Sequence, residues 1–434
     1  MPKKMHLVAY LKAGPSASYP STWRHPSATL DDIFTYERWE HLARMLEAAR
    51  FDAFFFADGL GIPDLYKGNY DDYLGRGGQL SLLDPLALLP LMGRVTQHLG
   101  LGITLSTTFM PAYVIARYLG SLDILTGGRA AWNVVTSASD YEARNVGLDA
   151  LPPKEQRYDR ADEVLEACCA LWDGWDADAV VLDRENARFV DTTKVRYANY
   201  VGKHVSVRGP LSIPRTPQGR PVILQAGSSP RGREFAARWA EMIFCSHATK
   251  QDALIYAEDM RNRLAAHGRA PDSARILPSF SVVVGETESI AREKAEFLDS
   301  LTDPELVMAS SSSLLGVDLS TIETAEEAEK ASGTHGIAGS RDRMDQVARA
   351  QGISFAQAVR KPRGLFAGTP KMIADHMEDW FTSGACDGFV LPPTVFPATY
   401  EEFGRMVVPE LQRRGLFRTE YAGRTLRENM ENPG

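Results

Sequence analysis

Apolar residues recur along this chain in two alternating rhythms. Short, dense runs come first: Met5–Leu11, Phe51–Asp58, Leu99–Thr108, Ala130–Ser137, Pro221–Gly227, Glu241–His247, Ile276–Gly285 and Gly388–Pro392. Between them lie longer stretches in which apolar positions fall at helical spacing, as with Trp39, Leu42, Ala43, Leu46 and Ala49 over 36–50. Similar stretches cover 84–95, where Pro85 suits a first helical position, 111–125, 154–172, a segment from about Pro230, 251–266, 287–300, 370–383 and 399–413. Each short run predicts a strand and each longer stretch a helix. A helix after every strand carries the chain back across the sheet, so the strands should be parallel. Eight such units predict an α/β fold, a (β/α)8 TIM barrel, with an open doubly wound sheet as the alternative.

Two segments break the rhythm. Residues 174–219 are polar and punctuated by proline and glycine. Residues 301–366 contain "SSSS" at 310–313 and Gly, Ser and His over 332–340. They predict insertions after strands 4 and 7 of a single domain spanning 1–434. Serines and glycines permit several backbone conformations, so the second insertion is expected to be partly mobile and to close over the barrel mouth.

Composition narrows the function. The 48 basic and 56 acidic residues give a formal charge of −8, which argues against a nucleic-acid or anionic-membrane surface. No stretch approaches the ~18 apolar residues of a membrane span, and the first residues carry too short an apolar run for a signal peptide. A cytoplasmic protein is expected. The four cysteines form no CxxC pair and read as small buried hydrophobes. The nine histidines form no HxH or HExxH group, so no metal site is expected. Neither GxxxxGK[ST] nor GxGxxG occurs, which leaves out a nucleoside triphosphate or a Rossmann-bound dinucleotide.

In such barrels the active site lies at the C-terminal ends of the strands. Those ends carry mostly neutral hydrogen-bonding groups, among them Thr104, Asn133, Ser137, Gly227, Ser228 and Ser229, a set suited to a large polar heterocycle and poor for acid–base hydrolysis. In "AGSSPRGREF" (226–235) a strand ends, serines follow and a helix opens. Backbone N–H groups, hydroxyls and the helix dipole together favour a phosphate there, although Ser229 could equally be a plain N-cap. Lys154 and Tyr158, four apart at a helix start, share a face and can both donate to a phosphate; an exposed lysine and a half-buried tyrosine are the simpler reading. Asp58 closes an apolar strand and could bind a ligand, cap a loop or pair with an arginine.

These segments match a known family. "FDAFFFADGL" (51–60), "LGLGITLSTTFMPAYVIAR" (99–117), "LDILTGGRAAWNVVTS" (122–137), "ARNVGL" (143–148), "QRYDRADE" (156–163), "PVILQAGSSPRGREFAA" (221–237) and "GTPKMIADHMEDWF" (368–381) together resemble the bacterial-luciferase-like flavin monooxygenases. Within them the chain is most similar to the branch of nitrilotriacetate monooxygenase component A, pristinamycin synthase and dibenzothiophene sulfone monooxygenase. The resemblance implies a monooxygenase that uses FMN as FMNH2 with O2 as co-substrate. A separate NAD(P)H:flavin reductase would supply the flavin, a small organic molecule would be the substrate, and the protein would be a homo-oligomer, dimer or tetramer. A deazaflavin-dependent oxidoreductase and a non-catalytic flavin-binding protein are the alternatives. By position, Asp58 and Thr104 would contact the flavin side and Tyr158 with Ser228 the phosphate side, flanked by Gly227 and Ser229; Asn133 and Ser137 would line the ring pocket. Many members carry histidine where Lys154 stands; lysine keeps a cationic donor but removes a group titrating near neutrality. Alkane-hydroxylating relatives carry cysteine and histidine where this chain has Gly14 and Ala138, which weighs against that chemistry. No catalytic residue beyond the flavin contacts is identified.

Overall fold

The computed structural model describes residues 3–332, 336, 338–360 and 364–431. Eight strands form one sheet: β1 (His6–Leu11), β2 (Ala53–Phe56), β3 (Gly100–Ser106), β4 (Ala130–Val135), β5 (Val222–Gln225), β6 (Met242–Cys245), β7 (Arg275–Pro278) and β8 (Gly388–Leu391). Their order is β7-β6-β5-β4-β3-β2-β1-β8, and every pairing is parallel. The two ends of the sheet meet: the Asp387 N–H donates to the Ile276 carbonyl at 2.8 Å and the Phe280 N–H to that of Val390 at 2.9 Å. The sheet is a barrel, and the open-sheet alternative falls.

Alternation along the strands explains its inside. Val8 and Tyr10, Ala53 and Phe55, Ala131, Leu224, Met242 and Phe244, Leu277 and Val390 share one apolar cluster, while the intervening residues face the surrounding helices. A Cβ at Gly102 would lie 2.7 Å from that of Phe55, so glycine leaves the large ring its room. A short helix, Leu426–Glu431, plugs the foot of the barrel by adding Leu426 and Met430 to the same cluster.

The helices that matter for the site are α1 (Tyr36–Ala48), α2 (Pro85–Arg94), α3 (Ala112–Leu125), α4 (Lys154–Trp172), α5 (Pro230–Trp239), α6 (Lys250–Ala266), α7 (Glu288–Leu301), α8 (Pro304–Leu315) and α9 (Pro370–Thr382). α1 buries Trp39, Leu42, Ala43 and Leu46, the stripe expected of it. Pro85 occupies the start of α2, where Asp84 caps the Leu86 N–H.

Two expectations need correction. The run 276–285 is not one strand: it breaks after Pro278, and Val282–Val284 pairs instead with Phe366–Gly368. Residues 174–219, read as an insertion, hold two antiparallel hairpins. The serine run 310–313 is no flexible loop but part of α8, with Ser311 and Ser312 buried. α8 carries Leu306, Met308, Ala309 and Leu315 into an apolar cluster with Tyr66, Tyr73 and Leu80 from the loop after β2. Lys67 Nζ pairs with Glu305 at 2.5 Å and Arg76 with Asp303 at 2.6 Å across the same contact. The second insertion is thus a packed helical cap joined to the 60–80 loop. Of the Gly/Ser/His stretch over 332–340, residues 333–335 and 337 lie outside the described residues.

Candidate functional site

The strand ends bring the expected residues into two groups. In the first, β3 and β4 run in register with Thr104 opposite Asn133. Asn133 Nδ2 donates to Thr104 Oγ1 at 2.8 Å, and that hydroxyl donates to the Phe56 carbonyl at 2.8 Å. Thr104 is therefore committed within the protein, whereas Asn133 Oδ1 is buried with no hydrogen-bond partner among the described residues. Such an orphan acceptor costs roughly 1–3 kcal/mol unless a ligand satisfies it. Asp58, two residues past β2, receives hydrogen bonds from Ser81 and the Gly59 N–H; burial nevertheless pushes its carboxyl above the usual range. Ser137 follows β4 at a positive φ of 58°. Its hydroxyl donates to Ser106 Oγ at 2.9 Å, and its carbonyl accepts from the buried guanidinium of Arg157.

The second group gathers at the start of α5. Ser229 is the N-cap, its Oγ accepting from the Gly232 N–H at 3.2 Å, and Pro230 follows. The plain-cap reading of Ser229 is correct as far as it goes, but Tyr158 reaches the same place. Its hydroxyl hydrogen-bonds Ser229 and Thr136, and its ring is buried against Phe235 at 5.6 Å. Burial raises this phenol, so it stays a donor at neutral pH. Neither glycine of the turn has room for a side chain: a Cβ at Gly232 would lie 2.9 Å from the Tyr158 hydroxyl, and one at Gly227 would lie 2.7 Å from Gln225 Nε2. The Ser228 carbonyl accepts from Arg233 Nε at 2.9 Å. Lys154 opens α4 one turn before Tyr158, partly exposed. Thr136, between β4 and Ser137, links the two groups. Ser229→Ala should lower stability by about 1 kcal/mol through loss of the cap, measurable by denaturant titration.

Sequence reasoning passed over Glu142 and Lys12. Glu142 is 8% exposed; its Oε1 accepts from the Leu60 N–H at 3.2 Å and lies 3.5 Å from the Ser137 hydroxyl. Burial raises its carboxyl, while Leu60, Ala138 and Lys12 pull it back. Lys12 directly follows β1, so the strand-end rule would have found it had it been applied to the first strand. Glu142 had no such signal, since it sits in the short helix Asp140–Asn145.

A cleft of about 1080 Å³ lies elsewhere: it is lined by Pro221, Glu241 and Arg275, at the opposite ends of the strands. Its Arg427 is bound to Glu241 at 2.8 Å and its Arg220 to Asp173. These pairs tie the barrel foot together, and the strand-end rule places the chemistry at the other face.

Residues 16–386 match the family model described as luciferase-like monooxygenase. The chain belongs to that family. It is 40% identical over 440 residues to dibenzothiophene-sulfone monooxygenase of Rhodococcus erythropolis (strain XP), covering 99% of this chain and 96% of the relative. It is 38% identical over 424 residues to nitrilotriacetate monooxygenase component A of Aminobacter aminovorans, covering 94% and 92%. A riboflavin lyase solved with a modified FMN and riboflavin superposes with a TM-score of 0.90 at 30% identity, covering 99% and 96%. The chain is a flavin-dependent monooxygenase that uses reduced flavin and O2. Among the described residues no helix is long and apolar enough to cross a membrane, and no group of three or more metal-ligating side chains occurs.

Proposed function

We propose that this luciferase-like monooxygenase is the oxygenase component of a two-component system that takes FMNH2 from a separate NAD(P)H-dependent reductase and oxidises a small organic substrate. The observation that carries the choice of FMN is the turn Gly227–Gly232 at the start of α5, where neither glycine has room for a Cβ, faced by the Tyr158 phenol. Backbone N–H groups at a helix start, two serine hydroxyls, a phenol and the Lys154 ammonium suit one phosphate. Asp58, Asn133 and Ser137 would then line the ring side, with Thr104 orienting the Asn133 amide, and the orphan Asn133 Oδ1 fits a ring donor. The flavin supplies the oxygen chemistry; the protein supplies position and a dry pocket. The relatives support this reading over the deazaflavin alternative: one is named a sulfone monooxygenase, another a monooxygenase component A.

Anaerobic titration with FMNH2, FADH2, reduced riboflavin and reduced deazaflavin tests the cofactor. FMNH2 should bind tightest; a preference for FADH2 or deazaflavin sinks the reading. Lys154→Ala should weaken FMN by roughly 1–3 kcal/mol, the range of a charge-assisted hydrogen bond, and riboflavin far less. Equal losses for both ligands would show that Lys154 does not serve the phosphate.

A further inference from the structure

Lys12 stands on the barrel-facing parity of β1, two residues beyond Tyr10, which lines the interior. It is partly buried. Among the described residues its ammonium makes no hydrogen bond and no ion pair within 4.0 Å. Asp58 and Glu142 act on it from further away. Burial pushes the ammonium down, and those two carboxylates pull it back up.

The carboxylates are not open to a ligand in the same way. Asp58 already receives Ser81 and the Gly59 N–H. Glu142 receives the Leu60 and Ala138 N–H groups and faces the Ser137 hydroxyl. An ammonium has three donors and no acceptor, and all three of those of Lys12 lack a partner among the described residues. Beneath it lies an apolar floor: Tyr10 stacks on Phe55 at 5.5 Å between centroids, and Phe55 on Phe244 at 4.9 Å and 9°. Each of these rings sits at or next to the last residue of its strand, at the mouth end.

We propose that Lys12 is the specificity-determining residue of the substrate pocket, donating to an anionic group, a carboxylate or sulfinate, borne on a flat apolar body that packs on the Tyr10–Phe55–Phe244 floor. This rests on the monooxygenase reading for its biological meaning, because it names the substrate class of that site. Asp58 and Glu142 favour the charged form against burial, and their own hydrogen bonds go to other donors. A substrate lacking the anion would leave a desolvated cation unpaired, and that penalty is what discriminates.

The test uses benzoate and benzamide, matched in size and differing in charge. Each is titrated calorimetrically into the full-length protein, with and without oxidised FMN. Wild type should bind benzoate at least about tenfold more tightly than benzamide. Lys12→Met should abolish the difference and Lys12→Arg should keep most of it, with FMN affinity unchanged in both. Failure to bind benzoate, equal binding of benzamide, or a preference that survives Lys12→Met would each overturn the proposal. So would an FMN affinity that falls along with benzoate in Lys12→Met, since the ammonium would then serve the flavin. Should the protein bind no flavin at all, the monooxygenase reading fails by itself, while the charge preference measured without FMN still decides the role of Lys12.

Discussion

Asp52→Ala is expected to destabilise the barrel by about 3–5 kcal/mol, the cost of leaving a buried charge unpaired. Asp52 precedes β2 at the foot of the barrel and is 0% exposed. Its carboxylate binds the buried Arg418 and accepts from His6 Nδ1 at 2.7 Å and the Leu7 N–H at 2.8 Å. His6 Nε2 in turn accepts from Arg275 Nε at 3.1 Å, which fixes the proton on Nδ1. Among the described residues Nε and NH1 of Arg418 are buried without hydrogen-bond partners, NH2 also reaches the Asn429 carbonyl at 3.3 Å, and the guanidinium lies 5.5 Å from the Tyr421 ring centroid. The pair joins β1, β2 and the chain just before the plugging helix, so losing it also loosens Leu426 and Met430.

The same carboxylate sets an acid limit. Burial alone would raise it, but Arg418 and His6 outweigh burial and hold it below the usual carboxylate range. A group depressed in the folded state adds stability above its unfolded pKa of about 3.9 and loses it as pH falls through the lower folded value. Asp52→Asn keeps the shape and removes the charge. The gap between wild type and Asp52→Asn in urea unfolding should stay constant from pH 7 down to about pH 4 and close below it. A gap that already closes near pH 6, or a cost under about 1 kcal/mol for Asp52→Ala, would show that the pair contributes little.

The barrel was legible because its signal is local. Apolar runs and helical stripes each lie within one element, so 154–172 was read to the residue and α1, α2 and α6 to within two. The misreadings arise where local pattern and tertiary context part. "ILPSFSVVVG" is apolar throughout and gives no sign that Phe280 turns to hydrogen-bond β8 and frees Val282–Val284 for another partner. Serine is a moderate helix former, and the run in α8 is helical because Leu306, Met308 and Leu315 have the 60–80 loop to pack on, a partner about 240 residues away. Asp52 and Arg418 are 366 residues apart, beyond any periodicity. Among the candidate flavin contacts, Ser229 and Tyr158 meet, a grouping that came from the family resemblance and not from either helix start read by itself. Glu142 and Lys12 acquire meaning only when four strand ends are seen together.

Gly232→Val should abolish useful FMN binding, weakening it by about 100-fold or more, or about 2.7 kcal/mol. Gly232 sits in the first turn of α5, where its N–H is capped by Ser229. Helix propensity alone would favour any larger residue, since glycine in a helix costs roughly 0.5–1 kcal/mol against alanine. Space argues the other way. A Cβ would lie 2.9 Å from the Tyr158 hydroxyl, 3.0 Å from Gly227 Cα and 3.2 Å from Ser229 Oγ. Two of those neighbours are the phenol and hydroxyl proposed to face the phosphate, and the third is backbone, which cannot swing aside. Branching at Cβ closes the remaining routes of escape. The variant should therefore fold, with circular dichroism and a cooperative transition like wild type, yet displace Tyr158 and Ser229 from the turn. Riboflavin, lacking the phosphate, should lose no more than a few-fold. If FMN binds a folded Gly232→Val as tightly as wild type, the phosphate does not sit at the start of α5. If FMN and riboflavin are lost together, the damage extends to the ring pocket and the turn is not a dedicated phosphate cradle.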